Sequence, residues 1–153
     1  MVDADQPMCD LVAYVDGGSL GNPGPSGIGV VIVSVSSNIA HSAIASPASE
    51  GKVRIAKWIG NQDNNVAEYV ALLEALQYAR QSKATALHVY SDSEVVVKQM
   101  KGEYACRSAR LYSLNWICRK LARSLSFSIS HLRREDNAEA NALANSAVRE
   151  RRG

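Results

Sequence analysis

Cysteine is scarce in this chain of 153 residues: Cys9, Cys106 and Cys118 are odd in number, far apart and outside any CxxC or Cys/His spacing. That pattern argues against a disulfide framework and a zinc site, and leaves reduced thiols. Long apolar runs are missing as well. No window approaches the roughly 18 uninterrupted apolar residues of a membrane span, and the opening MVDADQPMCD lacks the basic and apolar regions of a signal peptide. A cytosolic, membrane-independent protein is therefore expected. Excess charge of either sign is small, +2 in all, so net charge alone does not name a polyanionic partner. Its distribution says more: Arg107, Arg110, Arg119, Lys120, Arg123, Arg133, Arg134, Arg149, Arg151 and Arg152 load the second half. A solvated face and a nucleic-acid surface explain such a load about equally well.

What is present is an ordinary globular composition, with 46% hydrophobic and 21% charged residues, which supports a folded body. The length suffices for one substantial core and is short for two domains. We expect one domain over 1–153, with 1–9 and 149–153 as flexible ends. LVAYVD at 11–16 is a short apolar run ending in an acid, and GGSLGNPGPSG after it demands a tight irregular turn. Gly27 to Val35 reads as a strand turning at SSN into another near Ile39; SPASEGK at 46–52 reads as a loop before a third strand at Val53–Ile59. From Asn65 to Gln81 the residues Val66, Tyr69, Val70, Leu73 and Leu76 recur at helical spacing. Ala86–Ser91 follows as a buried strand and Ser93–Lys101 as a short helix. Ser108–Ser124 forms a helix with Leu111, Leu114, Ile117, Cys118 and Leu121 on one side, and Phe127, Ile129 and His131 lie on a last strand. Asp136 with Glu139 fits a capping box for a final helix whose stripe is Ala140, Leu143, Ala144, Ala147 and Val148. The order βββαβααβα implies an α/β fold: a five-stranded mixed sheet, three strands antiparallel and two joined through helices and parallel to the first.

Cleaving a phosphodiester at neutral pH needs activated water and stabilisation of charge at phosphorus and at the leaving oxygen. Two hard cations about 3.5–4 Å apart supply both, and magnesium takes carboxylates, water and substrate phosphate as ligands. Asp16 and Asp92 at strand ends and Glu68 in the first turn of the long helix are suited to such a cluster, because ligands on open α/β sheets collect at the carboxyl ends of strands. Each acid also has a local explanation: a turn at Asp16, a helix cap at Asp92, a favourable helix N-terminus at Glu68.

The blocks DGGSLGNPGPSG, NNVAEYVALLEAL, YSDSEVVVKQMKGEY and REDNAEANALA, in this order and at compatible distances, resemble the type 1 ribonuclease H family over Leu11 to Val148. The resemblance implies the ribonuclease H-like fold and endonucleolytic hydrolysis of the RNA strand of RNA–DNA hybrids, leaving a 5′-phosphate and a 3′-hydroxyl. It implies two Mg2+ ions, with Mn2+ as a substitute, held by Asp16, Glu68 and Asp92. It further implies Gly17, Gly18 and Ser19 approaching the RNA 2′-hydroxyls, Asn22 near a DNA phosphate, Asn64 and Asn65 in the minor groove, and Ser93 near the scissile bond. Capping explains the Asn pair equally well.

Departures from the family pattern shape the expectation. Its last carboxylate is Asn141 here, which keeps a carbonyl oxygen but drops one negative charge, so the second metal should bind more weakly. We favour retained, slower activity; a hybrid-binding module that has lost catalysis and another superfamily nuclease such as a 3′–5′ exonuclease are the alternatives. Asp63 stands where a phosphate-binding Thr or Ser is common and would repel phosphate. Glu94 stands where Gln is common and reads as a helix-start acid. Almost nothing separates Tyr104 from the helix near Ser108, so the basic protrusion of several relatives is lacking and Arg107 and Arg110, with the C-terminal arginines, are the compensating cations. No His lies in LRRED; His131 precedes it as a candidate for proton transfer, and Arg134 as one for steering phosphate. His41 and His88 read as structural, and Tyr69, Tyr90, Tyr104 and Trp116 as core packing. No obligate protein partner is evident.

Overall fold

β1 is apolar through residues 11–15, with Leu11, Ala13 and Val15 buried on one face and Val12 and Tyr14 half-buried on the other. In the computed structural model, which describes residues 9–36 and 52–151, it runs Cys9–Ser19 at the centre of a five-stranded sheet with β2 (Gly24–Ser36), β3 (Lys52–Gln62), β4 (Ala86–Ser91) and β5 (Ser126–His131). Strand order is β3-β2-β1-β4-β5. β1, β2 and β3 pair antiparallel, and β4 and β5 run parallel to β1, as the element order implied. The helices are α1 (Asn64–Gln81), α2 (Glu94–Met100), α3 (Ala109–Ala122) and α4 (Ala138–Glu150), the last entered through a 3-10 turn over Arg134–Asn137. The strand start near Ile39, His41 and all but the last residue of the loop expected over 46–52 lie outside the described residues. Among the described residues, no helix is long and apolar enough to cross a membrane.

Leu11, Ala13 and Val15 of β1, Ile28, Val30 and Ile32 of β2, and Leu87 and Val89 of β4 form one core with Tyr69, Leu72, Ala75 and Leu76 of α1. α1 lies between the sheet and α3, so it is buried well beyond a single stripe. The opposite face receives α4, and there glycine and alanine let backbones approach. A Cβ on Gly29 would sit 2.1 Å from the Ala140 carbonyl oxygen, and one on Gly27 2.6 Å from that of Ala144.

Three local readings change. The glycine-rich stretch after Asp16 is mostly strand: Gly17, Gly18 and Ser19 still pair with Ile28, Gly27 and Ser26, and the turn is confined to residues 20–23. The capping box at α4 does not form. Asn137 occupies the cap position, Asp136 accepts from Arg133, and Glu139 is drawn to Lys52 and Arg54 of β3, whose charges outcompete a backbone amide. Finally, Trp116 and Tyr104 are not core residues but 53% and 47% exposed, and Ile117 is 40% exposed. The cause is an inversion on α3: Asn115 is buried because its amide donates to the Tyr69 hydroxyl at 3.0 Å, and burying 115 turns 116 outward by about 100°. Tyr69 is buried as read, and Tyr90 stacks on Tyr14 at 5.2 Å.

Candidate active site

β1 and β4 are adjacent and parallel, so their carboxyl ends bring Asp16 and Asp92 to one edge of the sheet. α1 begins beside that edge. Its cap is Asp63, whose side chain accepts from Val66 N at 2.8 Å, so this carboxylate is committed to the helix end. One turn in, Glu68 Oε1 accepts from Gly17 N at 3.2 Å, which locks α1 to the strand end. A Cβ on Gly17 would be 2.2 Å from the Ala67 carbonyl oxygen, so this contact requires glycine. Carboxylate oxygens of Asp16, Glu68 and Asp92 all lie within 4.8 Å of one another. Neither local alternative for the aspartates holds: the strand continues past Asp16, and Ser93, not Asp92, caps α2 by accepting from Val96 N at 3.2 Å.

α4 closes the site from the other side of the sheet. Asn137 Nδ2 donates to the Val15 carbonyl at 2.8 Å and to Asp92 at 3.4 Å; Asn141 Nδ2 donates to Asp16 Oδ2 at 3.0 Å, and Asn145 Nδ2 to Asn141 Oδ1 at 3.3 Å. Sequence reasoning used Asn141 and missed the structural parts of Asn137 and Asn145. The signal was present: asparagine is a poor helix former, yet it recurs at 137, 141 and 145, one face of one helix.

Burial is the main electrostatic fact here. Asp16 is 2% exposed, its Oδ1 is buried without a partner, and its pKa is pushed from 3.8 up to about 7, first by burial and then by the charge of Asp92. The Asn141 hydrogen bond and the Arg134 charge work the other way. Glu68 is raised well above the usual carboxylate range by burial, with Asp16 and Asp92 adding to it. Three clustered acids, two held against ionisation and one with an orphaned oxygen, form an oxygen-only donor set short of positive charge, which is what a hard divalent cation would satisfy.

A cleft of about 290 Å³ opens on this cluster, lined by the expected Asp16, Gly17, Gly18, Ser19, Asn64, Glu68, Arg134 and Asn141, and also by Leu20, Asn145 and Val148. Ser19 donates to Asn64 Oδ1 from both its N–H (3.0 Å) and its hydroxyl (2.9 Å), and Asn64 N donates to Asn22 Oδ1 at 2.9 Å. Asn22, Asn65, Asp92, Ser93 and His131 do not line the cleft; His131 ends β5, exposed. His88 sits mid-strand with Nδ1 2.5 Å from Ser128 Oγ. A neighbouring groove of about 350 Å³ holds Asp136 and Glu139, but these acids already have the cationic partners Arg133, Lys52 and Arg54. Among the described residues Asp16 and Glu68 take part in no salt bridge, and burial holds both against ionisation.

A mixed sheet in this order, with acids gathered at the carboxyl ends of β1 and β4 and a helix crossing the opposite face, defines a ribonuclease H-like domain. The family model described as reverse transcriptase-like matches residues 14–147. A ribonuclease HI of Halobacterium salinarum is 36% identical over 137 residues, covering 89% of this chain, and the chain spans 63% of the length of that protein. The crystal structure of RNase H1 from Halobacterium salinarum superimposes with a TM-score of 0.78 at 33% identity, over 92% of this chain and 98% of that one. LC11-RNase H1, solved in complex with an RNA/DNA hybrid, gives 0.77 at 30% identity, over 92% and 98%. The chain belongs to the type 1 ribonuclease H family.

Proposed function

We propose that this chain, as a single domain over 1–153, hydrolyses the RNA strand of RNA–DNA hybrids endonucleolytically and leaves a 5′-phosphate and a 3′-hydroxyl. The observation that carries the reading is the Asp16–Glu68–Asp92 cluster, in which a buried oxygen of Asp16 has no partner and Asp16 and Glu68 line an open cleft. The hybrid seen bound to LC11-RNase H1 supports the substrate. Asp16, Glu68 and Asp92 would hold two divalent ions, Mg2+ with Mn2+ as substitute, and Asn141 would support the second. When bound, such ions supply activated water at neutral pH and positive charge at the scissile phosphate.

The remaining work belongs to the chain. Asn137 and Asn141 hold the side chains of Asp92 and Asp16 in one orientation. Arg134 places a guanidinium at the lip of the cleft, where it attracts phosphate and favours the ionised acids. Gly18 leaves open space above it, so a 2′-hydroxyl can approach the strand backbone. Asn22, Ser19 and Asn64 act as one hydrogen-bonded unit in fixing the wall that meets the minor groove, with Asn65 beside it and Ser93 toward the scissile bond. His131 would take part in proton transfer only from the end of β5. The free Cys106 and Cys118 support a reducing compartment, the cytosol.

Labelled hybrid incubated with Mg2+ or Mn2+ should be cut internally on the RNA strand, and Asp16→Asn should abolish the cut. An intact hybrid under both ions would reject the reading. One observation favours a second: the Asn141 amide already donates to Asp16 Oδ2 at 3.0 Å, a neutral donor where the family has a carboxylate, as expected of a hybrid-binding module with little or no catalysis. Tight, metal-independent hybrid binding that is unchanged in Asp16→Asn would select it.

A further inference from the structure

The outward face of α3 has no part in the cleft and does not pack on the core. Tyr112 and Trp116, one turn apart, are 59% and 53% exposed, and the Lys120 ammonium lies 5.0 Å from the Trp116 ring centroid. At 100° per residue, Arg119 and Arg123 fall with them in an arc of about 100°. Nothing acidic opposes these cations locally: between Glu103 and Glu135 the chain has neither Asp nor Glu. No salt bridge among the described residues engages Arg119, Lys120 or Arg123. A second copy is a poor occupant, since pairing two such faces would set like charges against each other. Exposed rings bordered by unopposed cations are complementary to a polymer that alternates π faces with phosphates. The helix that carries this face starts near the cleft, although its first-turn arginine points to another side. Arg110 in the first turn of α3 has Nη1 3.5 Å from Gln62 Oε1, and Gln62 is two residues from Asn64 in the cleft wall. From there α3 extends about 20 Å.

We propose that the Tyr112–Trp116–Lys120 face of α3 is an accessory site for single-stranded DNA, with bases stacked on the two rings and phosphates on Arg119, Lys120 and Arg123. The choice of DNA rests on the function proposed above: repeated cutting of the RNA strand into pieces short enough to dissociate leaves its DNA complement single-stranded near the cleft.

Binding of labelled oligodeoxythymidylate to the full chain, read by fluorescence anisotropy at low salt in EDTA, tests this. Tyr112→Ala/Trp116→Ala should weaken binding by about tenfold or more, Trp116→Phe should retain most of it, and Arg119→Ala/Lys120→Ala should flatten the salt dependence. Cleavage of a short blunt hybrid and the melting temperature should stay at wild-type values in the aromatic double variant. Unchanged affinity in that variant overturns the proposal, as does equal or tighter binding of oligouridylate or a preference for polyglutamate. Oligodeoxythymidylate binding that depends on Trp116 in a protein that cuts no hybrid supports this surface and rejects the nuclease; hybrid cleavage with binding indifferent to Trp116 does the reverse.

Discussion

Asp16 and Glu68 sit in a cluster that disfavours their own ionisation, which ties stability to pH. The folded Asp16 holds its proton up to about pH 7 while the unfolded chain gives it up near 3.8. Its contribution to stability is therefore fully present below about pH 4 and is lost as the pH rises through about 7; Glu68, shifted the same way, adds to the trend. Thermal melts in EDTA should show a lower melting temperature at pH 8 than at pH 5, and Asp16→Asn should flatten the profile. An unchanged slope in the variant would sink the assignment. Asn141→Asp tests the amide at the same site. It removes the 3.0 Å donor to Asp16 and sets a fourth carboxylate against it, so the metal-free protein at pH 8 should lose about 1–3 kcal/mol while its calorimetric affinity for Mg2+ rises. Weaker Mg2+ binding in Asn141→Asp would contradict the role given to Asn141.

Neighbouring glycines on one element have opposite requirements. Gly17→Ala forces a Cβ to 2.2 Å from the Ala67 carbonyl oxygen and should cost about 3 kcal/mol or more in chemical denaturation. Gly18→Ala meets nothing within 4 Å, so its stability should stay near wild type while KM for hybrid rises. Equal stability losses in both variants would remove the distinction. The elements themselves were largely legible: the buried-strand run of β4 and the apolar spacing of α1 gave type and position, because such segments are decided by local pattern. Less legible were features set by tertiary partners. Ser19 stays in β1 because Ser26 pairs with it, Glu139 leaves the capping box for Lys52 and Arg54, and Asn115 displaces Trp116 because the buried hydroxyl of Tyr69 needs a donor. Within the site, the carboxylates could be read from strand ends. The hydrogen bonds of Asn137 and Asn145 could not, since they depend on the docking of α4.

Across the whole molecule, positive charge outweighs negative by only two, yet the stretch from Tyr104 to Arg134 is free of acids. Hybrid binding should accordingly be strongly salt-dependent, and Arg107→Ala/Arg110→Ala should lower the slope of log affinity against log salt by about 1–2. A slope unchanged from wild type would show that these cations stay clear of the phosphates. One feature of the fold also bears on timing. The amides that orient Asp16 and Asp92 come from Asn141 and Asn137, 125 and 45 residues further along the chain, on the last helix, which seats itself on Gly27 and Gly29. A nascent chain thus carries its three acids long before it carries the helix that sets them in order. During synthesis the acids wait in parts, and it is the first turn of α4, with Asn137 and Asn141, that brings the site together as it emerges.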